Sequence, residues 1–128
     1  MTRYYSSENI LLADGVKYGF HVTDAKEGDE FNGKPTMVLT LRVTNEDNEF
    51  TNKVIEFRFF TFMINKLCGV LGFERKNDAG RFYFDADPRD FIAKEFECVN
   101  RHQLSKDKTK TFNQLDISTM ASEDDTPF

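Results

Sequence analysis

Lys106, Lys108 and Lys110 alternate through a polar stretch, and Phe112 follows two residues later. Such spacing offers cations to phosphate groups and a flat ring to a base. The same pairing of charge and ring recurs where Arg58 precedes Phe60, while Phe31 lies in a turn-forming region and Tyr4 and Tyr5 stand near the start. Every nucleobase has a π-face, so stacking on these rings is worth roughly 1–3 kcal/mol per base without sequence preference. Lys17, Arg42, Arg58 and Arg101 stand out of phase with their apolar neighbours, which would set several cations along one outer surface. A blander role is open to all of them: packed aromatics, and lysines in a solvated hairpin loop.

Catalytic chemistry finds less support. Asp85, Asp87 and Asp90 form an acidic cluster that suits a divalent metal in principle, but Pro88 and Arg89 interrupt it and no His accompanies it. Loop solvation and capping are the simpler reading. His21 and His102 lack the Cys or Asp spacing of a metal site. No Ser, His and Asp arrangement, phosphate-cradling Gly loop or nucleophilic Cys motif stands out. The expectation is a binding protein without catalytic residues, metal or cofactor.

The elements that must position these side chains follow from periodicity. Val16, Tyr18, Phe20 and Val22 alternate with Lys17, Gly19, His21 and Thr23, the pattern of a strand with one buried face. Met37, Leu39, Leu41 and Val43 predict a second strand, and Ile55, Phe57 and Phe59 a third. Over Thr61 to Leu71 the alternation stops. Met63, Leu67, Val70 and Leu71 then share a helical face, with Thr61 as the expected N-cap and Gly72 at the helix end. The stretch from Asn77 to Asp90 reads as an irregular connection, and Phe96 to His102 and Phe112 to Ser118 as two further strands around a polar loop. Three strands, a helix and two strands is the order of the five-stranded oligonucleotide-binding (OB) barrel. The expected fold is therefore mainly β, an OB-fold-like barrel with one short helix between strands three and four. An open sandwich and a sheet backed by the helix are the competing architectures.

At 128 residues one domain is expected, with 39% hydrophobic content and 14 Phe sufficient for a core. The apolar stretches are too short for the roughly 20 residues that span a bilayer, so a soluble protein without membrane association is expected. Met1 to Ser7 lacks the features of a secretory signal, which points to the cytoplasm. Cys68 and Cys98, the only cysteines, read as reduced core residues. A net charge of −5 counts against a generic nucleic-acid binder, but Glu123, Asp124 and Asp125 supply three of those charges. From Lys94 to Lys110 five basic residues face three acidic ones, a locally basic stretch.

The last residues, Asp124-Asp125-Thr126-Pro127-Phe128, resemble the acidic tip of bacterial and phage single-stranded DNA-binding proteins. That resemblance implies a partner-binding role in which the Phe128 ring enters an apolar pocket, its carboxylate meets a cation, and Asp124 and Asp125 steer the encounter. Pro127 would limit the entropy lost on docking. An ordinary frayed acidic terminus is the alternative. Over residues 11 to 128 the chain is also similar to small phage-encoded single-strand binders, through Gly15-Val16-Lys17-Tyr18, Gly33-Lys34-Pro35, the Leu67 to Gly72 helix end, and Lys94-Glu95-Phe96. Unlike the better-known bacterial proteins it has no Trp, so stacking falls to Phe, Tyr or Arg.

Together these readings predict a DNA-binding domain over 1–118 and a disordered acidic interaction tail over 119–128. Single-stranded DNA is the expected ligand, with Lys17, Phe31, Arg42, Arg58, Phe60, Arg101, Lys106, Lys108, Lys110 and Phe112 as its contacts. Replication or recombination proteins are the expected partners, in an infected bacterial host cell if the chain is phage-encoded. The alternatives are an OB-fold protein-interaction module without nucleic acid, and RNA as the ligand. No oligomeric state follows from the sequence.

Overall fold

A computed structural model describes residues 10–122. The chain is mainly β: β1 (Val16–Glu27), β2 (Met37–Val43), β3 (Val54–Phe59), helix α1 (Thr61–Val70), β4 (Arg75–Asp78), β5 (Arg81–Phe84), a 3-10 turn (Pro88–Phe91), β6 (Glu95–Leu104) and β7 (Thr111–Ser122). Five strands form one antiparallel sheet in the order β3-β2-β1-β6-β7, and β4 and β5 form a separate hairpin. β1 is shared. Its C-terminal half, Phe20 to Glu27, pairs with β2, and its N-terminal half, Val16 to His21, pairs with β6. A bulge between Val22 and Asp24 lies at the changeover, and a bulge bends and twists its strand.

The alternating residues of β1 and β2 meet in the core as their pattern predicts: Tyr18, Phe20, Val22, Leu39, Leu41 and Val43 are all buried. Phe20, Phe59 and Phe96, from β1, β3 and β6, form its centre. Their rings lie 5.5 Å (Phe20–Phe96) and 6.4 Å (Phe59–Phe96) apart, tilted and edge-on. Helix α1 buries Met63, Leu67 and Cys68 and packs against both edge strands, β3 and β7. Burial pushes the Cys68 and Cys98 thiols up to about 11, so both are neutral core groups at neutral pH. Among the described residues, no helix is long and apolar enough to cross a membrane.

Four expectations need correction. The sheet does not close into a barrel, because no pairing joins β3 to β7 and both remain edges. Closure requires strand tilt and register to agree around the whole ring, which local alternation does not encode. The stretch around Asn77 holds a hairpin, whose two four-residue strands are mostly exposed and so lack an alternating pattern. Phe60, in extended conformation, is the N-cap of α1, while the Thr61 hydroxyl donates instead to the Pro35 carbonyl at 2.7 Å. Lastly, β7 continues beyond Ser118 to Ser122 with Met120 buried. A register shift opposite Glu97 and Val99 breaks its alternation, and Thr119 Oγ1 there accepts the Val99 N–H at 2.9 Å.

Candidate nucleic-acid interface

The connection between β1 and β2 is built to hold one aromatic ring outward. Asn32 and Gly33 both have positive φ (52° and 74°), as the central residues of a type I′ turn require, and Asn-Gly is the sequence that tolerates it. Reciprocal backbone hydrogen bonds of 2.9 and 3.0 Å join Phe31 to Lys34 across the turn. The loop is tied down below by Thr36, whose hydroxyl donates to the Asp29 carbonyl at 2.5 Å. A Cβ on Gly28 would stand 2.5 Å from that same hydroxyl oxygen, so glycine keeps this neck narrow.

Phe31 consequently meets the start of α1. Its ring lies 5.1 Å from that of Phe60, which in turn lies 6.4 Å from Phe62 with the two planes only 8° apart. Phe31 is 53% exposed and Phe62 62%, so two of the three rings offer faces to solvent. They line a groove of about 520 Å³ whose polar edges include Lys34, Asn32 and Asn65. The volume suits a small planar ligand group. Aromatic faces, amide edges and one cation are the components that a nucleobase and its phosphate engage.

The lysine turn joins β6 to β7. Ser105 and Lys110 close it through a 2.9 Å backbone bond, with Lys108 at φ 60°. Asp107 accepts from Ser105 Oγ at 2.6 Å, Thr109 Oγ1 at 2.7 Å and Thr109 N at 3.1 Å. These hydrogen bonds, that of Ser105 first, lower its carboxyl to about 2. Because the folded value lies below the ordinary one of 3.8, the turn's preference for its folded form is complete above about pH 4 and is lost as pH falls towards 2. An NMR titration is expected to show the Asp107 carboxyl and the Thr109 amide moving together near pH 2, and a midpoint near 4 would contradict the hydrogen-bonded turn. Lys106, Lys108 and Lys110 are exposed and make no ion pair among the described residues. Phe112, 50% exposed, stands opposite Gln103 at the base of this ribbon.

The remaining predicted cations lie between these two places, and two of them, Lys17 and Arg101, are ion-paired. Lys17 Nζ meets Glu97 at 2.9 Å, Arg101 meets Asp116 at 3.2 Å, and Arg42 donates to Asn52 Oδ1 at 3.0 Å. Hydrogen bonds from Ser118, with the Arg101 charge, lower the Asp116 carboxyl below its usual value. Arg58 sits opposite Val38 on the exposed side of β3, two residues before Phe60. The structure thus joins Phe31 to Phe60 but separates them from the lysine turn. Glu27 pairs with Met37 at one end of β1, whereas β6 runs past Val16 at the other before the turn begins.

The other candidates have different partners. His102 Nε2 lies 2.6 Å from the Leu12 carbonyl and so donates to it, pinning the N-terminal segment. His21 faces Glu95 at 3.5 Å. Asp85 pairs with Lys76, Asp87 pairs with Arg89, and Asp87 and Asp90 form the capping box of the 3-10 turn. Among the described residues no three His, Cys, Asp or Glu side chains converge on a metal position. Tyr4, Tyr5, Asp124, Asp125, Pro127 and Phe128 lie outside the described residues.

Phe62 and Lys34 escaped sequence reasoning. Phe62 stands off the Met63 and Leu67 phase of α1, and an aromatic ring on the solvent phase of a helix is a usable signal. Compared with protein-family models, with curated proteins and with solved structures, the chain matches none.

Proposed function

We propose that this chain is a sequence-nonspecific single-stranded DNA-binding protein of the phage type, built on a partly open oligonucleotide-binding barrel. It protects single strands during DNA replication, recombination or repair, and it recruits partner proteins through Asp124, Asp125, Pro127 and Phe128. The observation that carries the reading is the assembly of Phe31, Phe60 and Phe62 into one exposed aromatic groove. Its place supports the same reading. The strand order β3-β2-β1-β6-β7 with a helix after β3 corresponds to the OB order left open between its third and fifth strands. In that fold the face of strands two and three and the loops 1–2 and 4–5 hold oligonucleotides. Here those loops carry Phe31 with Lys34, and the three lysines.

Division of labour follows: rings stack bases at one end of β1, and unpaired lysines neutralise phosphates at the other. Fluorescence anisotropy of labelled oligo-dT, its duplex and an RNA equivalent over a salt series tests this. Tight, salt-sensitive binding to the single strand is expected. Replacing Lys106, Lys108 and Lys110 by Gln should lower the slope of log K against log salt by about two, from roughly 0.7 per lost phosphate contact. No binding at low salt, for the full chain and for one lacking residues 123–128, would overturn the proposal and leave a protein-interaction module.

A further inference from the structure

We infer that the β4–β5 hairpin is a second contact site for single-stranded DNA, reached from the aromatic groove across the exposed side of α1. This rests on the single-strand reading above. Phe62, Asn65, Lys66 and Gly69 are the exposed residues of α1 and recur at the spacing of one helical stripe. At the far end of that stripe, Phe84 of β5 lies beside Gly69, where a Cβ on the glycine would stand 4.0 Å from the tip of its ring. The groove and the hairpin are therefore joined by about 10 Å of helix, at 1.5 Å per residue. A stacked strand at 3.4 Å per nucleotide covers that distance in about three nucleotides.

The hairpin itself has the chemistry of a stacking platform. Phe82 is 61% exposed, with the Arg75 guanidinium 4.1 Å from its ring centroid, so ring and cation are already held together. Tyr83, 44% exposed, stands opposite Lys76 on the other side of the hairpin, two residues after Arg81. Arg75, Lys76 and Arg81 face one carboxylate within these strands, Asp78, and Lys76 also reaches Asp85 at 3.5 Å. With the flanking Glu74 and Asp85 counted, three cations meet three carboxylates, so the attraction for phosphate is local: Arg75, held on the Phe82 ring, and Arg81 make no ion pair among the described residues. Phe84 docks the hairpin on the core, and the outward aromatics make no comparable packing contribution.

The test is a length series of oligo-dT with the full chain and the variant F82A/Y83A. Affinity for an oligonucleotide that fills only the groove is expected to stay within about twofold, while that for a long one falls roughly 30-fold or more, the loss of two stacked rings. The footprint shortens by about five nucleotides, roughly three for the α1 crossing and two on the hairpin rings. As a check that does not touch the rings, R81Q should lower the salt slope on long oligo-dT by about 0.7. If both variants match the parent at every length, the hairpin inference is overturned and the groove reading stands. If the parent binds no oligo-dT at any length, both fall together.

Discussion

Replacing Phe31 and Phe62 together by alanine is expected to weaken oligo-dT binding by about 2–6 kcal/mol, 30-fold at the least, from roughly 1–3 kcal/mol per stacked base. Both rings are more than half exposed, so their removal takes little from the core, and Phe60 remains in place as the partly buried floor of the groove. The salt slope should not change, since neither residue is charged. That distinguishes this variant from the lysine variant, which should alter the slope. The measurement is anisotropy at fixed salt, with thermal unfolding as the fold control. Affinity within about threefold of the parent would remove base stacking in this groove from the mechanism, because one stacked ring is worth more than that.

Phe96→Ala is expected to be the most damaging single change to the fold, costing about 3–5 kcal/mol as large-to-small aromatic substitutions in cores do. Phe96 is fully buried, pairs with Phe20 in register, and its ring lies beside those of Phe20 and Phe59. It therefore holds β6, which carries the lysine turn, against the strand that carries the aromatic loop. Against a typical total stability of about 5–15 kcal/mol, this loss is a large fraction. Urea unfolding should show a much lower midpoint with little change of slope. Phe82→Ala should stay within about 0.5 kcal/mol, as changes at exposed positions usually do. A loss below about 1 kcal/mol for Phe96→Ala would mean that the three-ring centre is not what holds the sheet together.

Much of the fold was legible because its information is local. The period-two pattern from Val16 to Val22 and from Met37 to Val43 follows from strand geometry, and the buried residues are those of the apolar phase. The helix after β3 announced itself by the change of period, and its end by Gly72, which has the positive φ that a residue with a Cβ rarely adopts. Phe31 and Phe60 were recognisable as aromatics without an obvious place in the core, but not as neighbours. The short hairpin and the continuation of β7 were hidden, the first by exposure on both sides and the second by a register shift.

By itself, then, the sequence determined the kind of each main element, the inward face of its strands and the supply of cations and rings. Tertiary structure alone decided which of those groups stand together: Phe31 with Phe60 and Phe62, Lys17 with Glu97, Arg101 with Asp116, and the lysine turn at the opposite end of β1. The physical reason is range. Periodicity and turn chemistry act over a few residues of backbone, whereas the register of distant strands sets side-chain neighbours and leaves the edges of β3 and β7 unpaired.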